Sequence, residues 1–468
     1  MRKAIFYSLL LSLSIAAAAA HAEPEGQSSS KASAQALPPP PSVQDQMLAP
    51  APAPQSVISS WDQAIAYLRA RSTDLHIALD QVRQAEAQTR IALAAYLPTI
   101  TASGQYTHNI LTNPSGGTVF SGSSFSSGSR VPFPDDYKGG IGIQQTVLNV
   151  QAFDAIGINE LGEDAAILSV EDEKRTLALG LANQIVAVVT AERAAEINRV
   201  GLRVALEQLE ITKRKQALGA ANGLDVVRAQ QNAANARASL VTGDESLQEA
   251  REALGLALGA PEQIGVASGV NIDGLAQSAM SSCRTVQQLD ERADIAAARV
   301  RLEIAKRNLR NTWFQFLPTV GASSALGADS NVTPPYPNPT WNIQATLAVP
   351  IWDGGSRYGQ LRSARAAEDT AAQQLEALRR QAVIQVEQAR RQLIVAETSD
   401  KVAREQRDLA ETNDQMTQMA YLAGQGTSLE LVTASEAHRQ AELNLALQDF
   451  GVVKARVLAV LALATCPW

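Results

Sequence analysis

Few residues in this chain are of a type and spacing that could do covalent or metal chemistry. Two cysteines, Cys283 and Cys466, and four histidines, His21, His76, His108 and His438, are scattered over 468 residues. None falls at the close spacing of a metal site. No nucleophile, base and oxyanion-stabilising set can be assembled, so the sequence argues against an enzyme and calls for no cofactor. The formal charge of -7 gives no sign of nucleic acid as a partner. His76 and His438 read as solvated helix-face residues and His108 as a loop residue. What remains is the oxidation of two thiols, and whether that can happen depends on the compartment and on the elements that carry them.

The compartment is legible at the N-terminus. Arg2 and Lys3 precede an apolar run from Ile5 to Ile15 and then Ala20-His21-Ala22, the pattern of a secretory signal over residues 1–22. The mature chain is expected in an exported, oxidising space, and no cysteine follows the apolar run to take a lipid anchor. Residues 23–56 hold eight of the twenty prolines and read as a polyproline-like or disordered lead-in, too poor in apolar groups to fold alone. No later segment approaches the ~20 apolar residues of a membrane helix. Contact with a membrane would have to be made by strands.

The largest element is 356–423. From Gln360 to Ala423 there is no Gly and no Pro, which predicts one helix roughly 95 Å long. Leu375, Leu378, Ala382, Val386, Ala389, Leu393 and Ala396 recur every three or four residues and form a seam. Val383, Ile384 and Ile394 lie off it and suggest a second contact face. A helix with two narrow contact faces suits a wall of helices.

The wall is repeated within the chain. Thr73-Asp74-Leu75-His76-Ile77-Ala78 opens a helix ending at Tyr96-Leu97-Pro98-Thr99-Ile100, and Ala293-Asp294-Ile295 opens one ending at Phe316-Leu317-Pro318-Thr319-Val320. In each, the proline pushes the preceding leucine out of helical backbone. Alternating segments follow at 99–106 and 341–351, and more weakly at 140–148 and 319–326. Apolar on one face and small or polar on the other, near ten residues long, they match membrane β-barrel strands around a wet lumen. The linking segments 109–138 and 328–340 read as exposed loops. Aromatics cluster at the strand ends, as interfacial girdles do.

After each strand pair comes a long helix, 150–218 or 356–423, then a glycine turn, 219–223 or 424–426, then a shorter helix, 224–258 or 429–463. If the helices before the strands run about 30 to 35 residues, short helices stacked end to end match the long ones in length. The irregular segment 259–282 would then form a small band outside the wall at mid-height. Cys283, at the start of the second upper helix, would meet Cys466 just past the last lower helix. A Cys283–Cys466 disulfide is therefore expected, with two free buried thiols as the alternative. The repeats are 57–282 and 283–468.

Four strands per chain cannot close a membrane barrel, for which about eight is the minimum. Several copies must share one. Here the sequence resembles the TolC-like outer membrane efflux proteins. The resemblance lies in the duplicated Leu-Pro-Thr turns, the segment Val349-Pro350-Ile351-Trp352-Asp353-Gly354-Gly355, and the paired turns from Leu218-Gly219 to Asp225-Val226-Val227 and from Tyr421 to Glu430-Leu431-Val432. It implies a mainly α protomer with a small membrane β part, trimerising into a twelve-stranded barrel on an α-helical barrel. The implied function is an exit duct in the outer membrane, with a periplasmic tunnel docked to a periplasmic adaptor and, through it, to an inner-membrane pump. By the same resemblance, Gly219, Gly223, Gly424 and Gly426 mark the tip turns where the adaptor docks, and Glu430 forms an entrance ring whose second position falls on Thr433. Asp225 and Tyr421 match a hydrogen-bonded latch whose arginine is replaced by Gly426. Asp225 and Glu430 could instead be ordinary first-turn acids. The alternative to a duct is a periplasmic coiled-coil scaffold or an adaptor without a pore, although an adaptor has one helical hairpin where this chain has two.

Overall fold

A computed structural model describes residues 43–108, 110, 135–267, 274–330, 339–466 and 468, all within one compact unit, Val43–Trp468. The secretory signal and residues 23–42 lie outside the described residues, as do most of the two inter-strand loops.

The described chain begins with a 3-10 turn, Gln46–Leu48, and runs through β1 (Ser56–Ile58), α1 (Trp61–Arg71), α2 (Thr73–Ala94), β2 (Thr99–His108), β3 (Asp135–Leu148), α3 (Val150–Ala217) and α4 (Gly223–Ala257). Then come β4 (Ile264–Val266), α5 (Leu275–Ser282), β5 (Arg284–Thr285), a 3-10 turn Leu289–Glu291, α6 (Ala293–Phe314), β6 (Thr319–Asp329), β7 (Thr340–Ala348), α7 (Ser356–Leu422), α8 (Ser428–Leu461) and β8 (Ala464–Thr465). Among the described residues no helix is long and apolar enough to cross a membrane.

The local chemistry explains the breaks. Ser72 ends α1 and starts α2, its hydroxyl accepting from the Leu75 amide at 3.3 Å. At each Leu-Pro turn the last helical residues tighten into i to i+3 bonds, Leu97 to Ala94 and Leu317 to Phe314, before proline forces extended chain. Asn149 caps α3. α7 starts from Gly354 and Gly355, both at positive φ, with Asp353 accepting from the Gly355 and Arg357 amides and from the Arg357 guanidinium.

The helices stand side by side. α3 packs against α2 and α4 along one side and against α6 and α8 along the other, and α7 packs against α6 and α8. The two long helices, 68 and 67 residues, span about 100 Å. α2 and α6 have only 22 residues each, shorter than expected, because the chain spends the difference on a belt at mid-height.

That belt corrects several expectations. Within 259–282 lie β4 and α5, and Ile264, Val266, Leu275 and Ala279 are buried in the largest apolar cluster together with Leu181, Leu254 and Leu461. Through its described residues, 259–267 and 274–282, the segment joins the core instead of forming a band outside it. Cys283 ends α5, ten residues before α6 begins. Cys283 and Cys466 are joined by a disulfide beside the paired β5 and β8. The last part of the proline-rich lead-in is also ordered by contact. Val43, Met47 and Leu48 pack on Leu202, Leu206, Ala233 and Leu240, Asp45 binds Arg237 at 2.8 Å, and Arg251 donates to the Pro52 carbonyl at 2.7 Å. β1 then pairs in parallel with β4. A segment unable to fold alone has borrowed the surface of α3 and α4.

Candidate functional site: a two-faced sheet and two helical tips

The four long strands form one antiparallel sheet in the order β2-β3-β6-β7. Its register puts like with like, since residues directly opposite share a face. Ile100 faces Ile143, Ala102 faces Ile141 and Tyr106 faces Tyr137. Ile141 faces Leu326, which faces Trp341, and Ala322 faces Ala345. Ile100, Ile343 and Trp341 are 70%, 75% and 72% exposed, so this apolar face is uncovered in the single chain. The other face carries Thr101, Ser103, Gln105, Gln144, Ser323, Asn342 and Gln344, and Lys138 bridges Asp136 and Asp329 at 3.1 and 3.5 Å. Both β2 and β7 pair on one side only among the described residues.

Three strands run longer than expected and one ends earlier. β2 extends to His108, whose imidazole meets Asp135 at 2.8 Å, so His108 is a strand residue and not a loop residue. β7 stops at Ala348 because Pro350 follows and cannot donate to a ladder. Aromatics gather at both ends of the sheet. Tyr106 and Tyr137 rings lie 5.0 Å apart at one end. At the helical end Tyr96 meets Phe153 at 6.1 Å, and Phe316 meets Trp313 and Tyr358 at 5.8 and 5.5 Å.

The far ends of α3 and α7 are built alike. Gly219 and Gly424 take φ of +75° and +76°, a left-handed backbone that lets Ala220 reach the Lys215 carbonyl and Gln425 reach the Ala420 carbonyl, at 2.8 and 2.9 Å. This is the Schellman stop, satisfying carbonyls the helix leaves open. A Cβ on Gly426 would lie 3.1 Å from the Tyr421 nitrogen, whereas one on Gly223 would make ordinary contact. Each tip then restarts with a capping box. Asn222 accepts from the Asp225 amide and Asp225 accepts from the Asn222 amide; Thr427 and Glu430 do the same. Glu430 is exposed. Hydrogen bonding from Thr427 holds its carboxyl below the usual range, and a bond from Ser428, then the Asn222 amide, does so for Asp225. The Thr433 hydroxyl donates to the carbonyls of its own helix. His438 sits between Asp414 at 3.5 Å and Glu442 at 3.8 Å, more enclosed than a solvated residue.

The two acids are therefore first-turn caps, and the expected Asp225–Tyr421 bond is not formed. Asp225 accepts from the Ser428 hydroxyl instead. Tyr421 is buried with its hydroxyl unpartnered, and its ring lies 3.6 Å from the Lys215 ammonium, which donates to the Tyr421 carbonyl at 3.0 Å. The reason is geometric: one Asp225 oxygen serves the Asn222 amide and the other the Ser428 hydroxyl, so neither is left for Tyr421. The Asn-x-x-Asp and Thr-x-x-Glu spacings could have revealed both boxes. Nothing in the sequence marks Lys215 or Ser428.

Residues 64–260 and 285–457 match the model of the family described as outer membrane efflux protein. Among curated proteins none matches by sequence. The outer membrane protein VceC of Vibrio cholerae is 20% identical, aligns over 86% of this chain and 95% of its own, and superposes with a TM-score of 0.69. CusC, described with transmembrane channel formation, is 17% identical over 91% of this chain and 99% of its own, with a TM-score of 0.72. The outer membrane channel CmeC of Campylobacter jejuni is 17% identical over 86% and 85%, with a TM-score of 0.69. These likenesses show a shared fold.

Proposed function

This chain belongs to the outer membrane efflux protein family, and on that premise we propose that three copies combine into one passive exit duct, gated at its periplasmic tips. It is an outer membrane efflux channel and not an enzyme. The observation that carries the trimer is the four-stranded sheet with two edges left unpaired among the described residues. Lipid offers no partner for those edge groups, and closure needs about eight strands or more, which three copies supply with twelve. The apolar face of Ile100, Ile143, Leu326 and Trp341 turns to lipid, and the face bearing Lys138 and Gln344 turns to the lumen. The aromatic pairs at each end lie at the two interfaces. Below the sheet, the helical columns close into a tunnel.

The signal at residues 1–22 directs export, and 57–282 and 283–468 are the two repeats. The tip turns at Gly219, Gly223, Gly424 and Gly426 receive a periplasmic adaptor that links the duct to an inner-membrane pump. The family match spans both hairpins, which leaves no room for a pore-free scaffold or adaptor. Purified protein is expected to run as a heat-modifiable oligomer and to conduct in planar bilayers. A water-soluble monomer without conductance refutes the proposal. Glu430, repeated three times, forms a cation-attracting ring, so Glu430→Ala weakens block of the pore by multivalent cations roughly tenfold. Unchanged block removes that role.

A further inference from the structure

Among the described residues, the α3–α4 hairpin is joined to the α7–α8 hairpin near the tips by side-chain hydrogen bonds at two places only. Lys215 at the end of α3 reaches Tyr421 at the end of α7, and Ser428 at the start of α8 reaches Asp225 at the start of α4. The next such bond up the wall is Arg439 to Asn198, at 3.1 Å.

We propose that Lys215 and Ser428 are the residues that hold this tip shut, Lys215 by gripping the ring and terminal carbonyl of Tyr421 and Ser428 by bridging to Asp225. The proposal rests on the reading of the tips as the gate. Two features make Lys215 more than a surface cation. Its ammonium is in contact with an aromatic face and a helix-end carbonyl at once, where the ring quadrupole and the negative end of the helix dipole favour positive charge against the burial that pushes its pKa down. The ring beneath it is buried, with its hydroxyl unsatisfied, so Tyr421 is held by its face and not by its oxygen. Gly426 supplies no side chain that could do this work. The Ser428 bond lies across the opening turns of the two short helices, so the pair grips both ends of the contact.

The test uses the assembled channel in planar bilayers. Lys215→Met with Ser428→Ala is expected to raise the open fraction about tenfold, each single change raises it less, and Lys215→Arg, which keeps a cation over the Tyr421 ring, stays closer to wild type than Lys215→Met. Because both native cysteines are paired, Asp225→Cys with Ser428→Cys adds the sole free thiols. Oxidised, this pair should conduct below wild type; reduced, it should behave like Ser428→Ala, with wild type under the same reductant as the control. Suppression by the oxidised pair alongside wild-type conductance in the Lys215→Met, Ser428→Ala channel overturns the latch and leaves the gate standing. Wild-type conductance in all of them overturns both. If Lys215→Met does not assemble on a heat-modifiable gel, Lys215→Gln replaces it with the same expected rise.

Discussion

α3 and α7 have nearly the same length and the same place in their repeats, but they face different surroundings. Seventeen residues of α3 are buried, including Leu181, Ile185, Leu202 and Leu206, against six of α7. α3 stands between two columns; α7 has neighbours on one side and ends the row. The seam of α7 is the buried side, with Leu375, Ala382 and Ala389 covered. Its second face carries Val395, Val402, Leu409 and Met416, seven residues apart and all more than half exposed. A heptad stripe is the signature of a helix expecting a partner. α3 meets its partners within the chain, and in the proposed trimer the exposed stripe of α7 meets the next copy.

The sharpest way to break this comparison is to charge both helices. Leu202→Asp on α3 should abolish the folded protomer, and Val402→Asp with Leu409→Asp on α7 should leave helical protomers that no longer form the oligomer. Circular dichroism and a heat-modifiable gel separate the two outcomes. An intact oligomer from the α7 double variant would falsify the edge assignment. Milder truncation sharpens the same contrast: Leu202→Ala should cost about 2–5 kcal/mol of protomer stability, whereas Leu409→Ala should register chiefly in oligomer melting.

A smaller effect compares the tips where each helix ends. Asn222→Ala and Thr427→Ala each remove one side of a capping box and should cost about 1 kcal/mol of local stability. Hydrogen exchange in the first turns of α4 and α8 reads the loss separately, and equal losses would show that the two restarts are equivalent. The smallest effect is that of acid. The carboxyls of Asp225 and Glu430 have native pKa values below their ordinary ones, so the unfolded tip binds protons first. Their contribution is complete above the ordinary carboxylate pKa of about 4 and is lost as pH falls through the lowered native values. Exchange at these turns, corrected for its intrinsic pH dependence, should stay flat from neutral pH down to about 5 and rise below about 4. A rise already complete at pH 6 would assign the effect to other groups.

How much of this was legible in the sequence varies with the range of the forces involved. Helix length, the Leu-Pro turns and the alternation of Ile100, Ala102 and Tyr106 are local, and the register of the sheet follows the same faces. The contrast between α3 and α7 is not local, because it depends on which column stands beside which. The order of residues 43–56 was hidden for the same reason: Arg237 and Arg251 fix that segment from some 190 to 200 positions away in sequence. The Asp225–Tyr421 pairing did not form because both carboxylate oxygens of Asp225 are already engaged, one by the Asn222 amide in its capping box and the other by the Ser428 hydroxyl. Lys215 had no motif to give it away.

The cystine at the belt has a topological consequence. Linking positions 183 apart, it makes a closed circle of almost everything from β5 to β8, including two of the four barrel strands and the whole second hairpin. A protease that nicks this circle once, anywhere along it, releases no fragment until a reductant is added. Electrophoresis with and without reductant, after limited digestion of the channel in cells, would therefore show one covalent piece resolving into two.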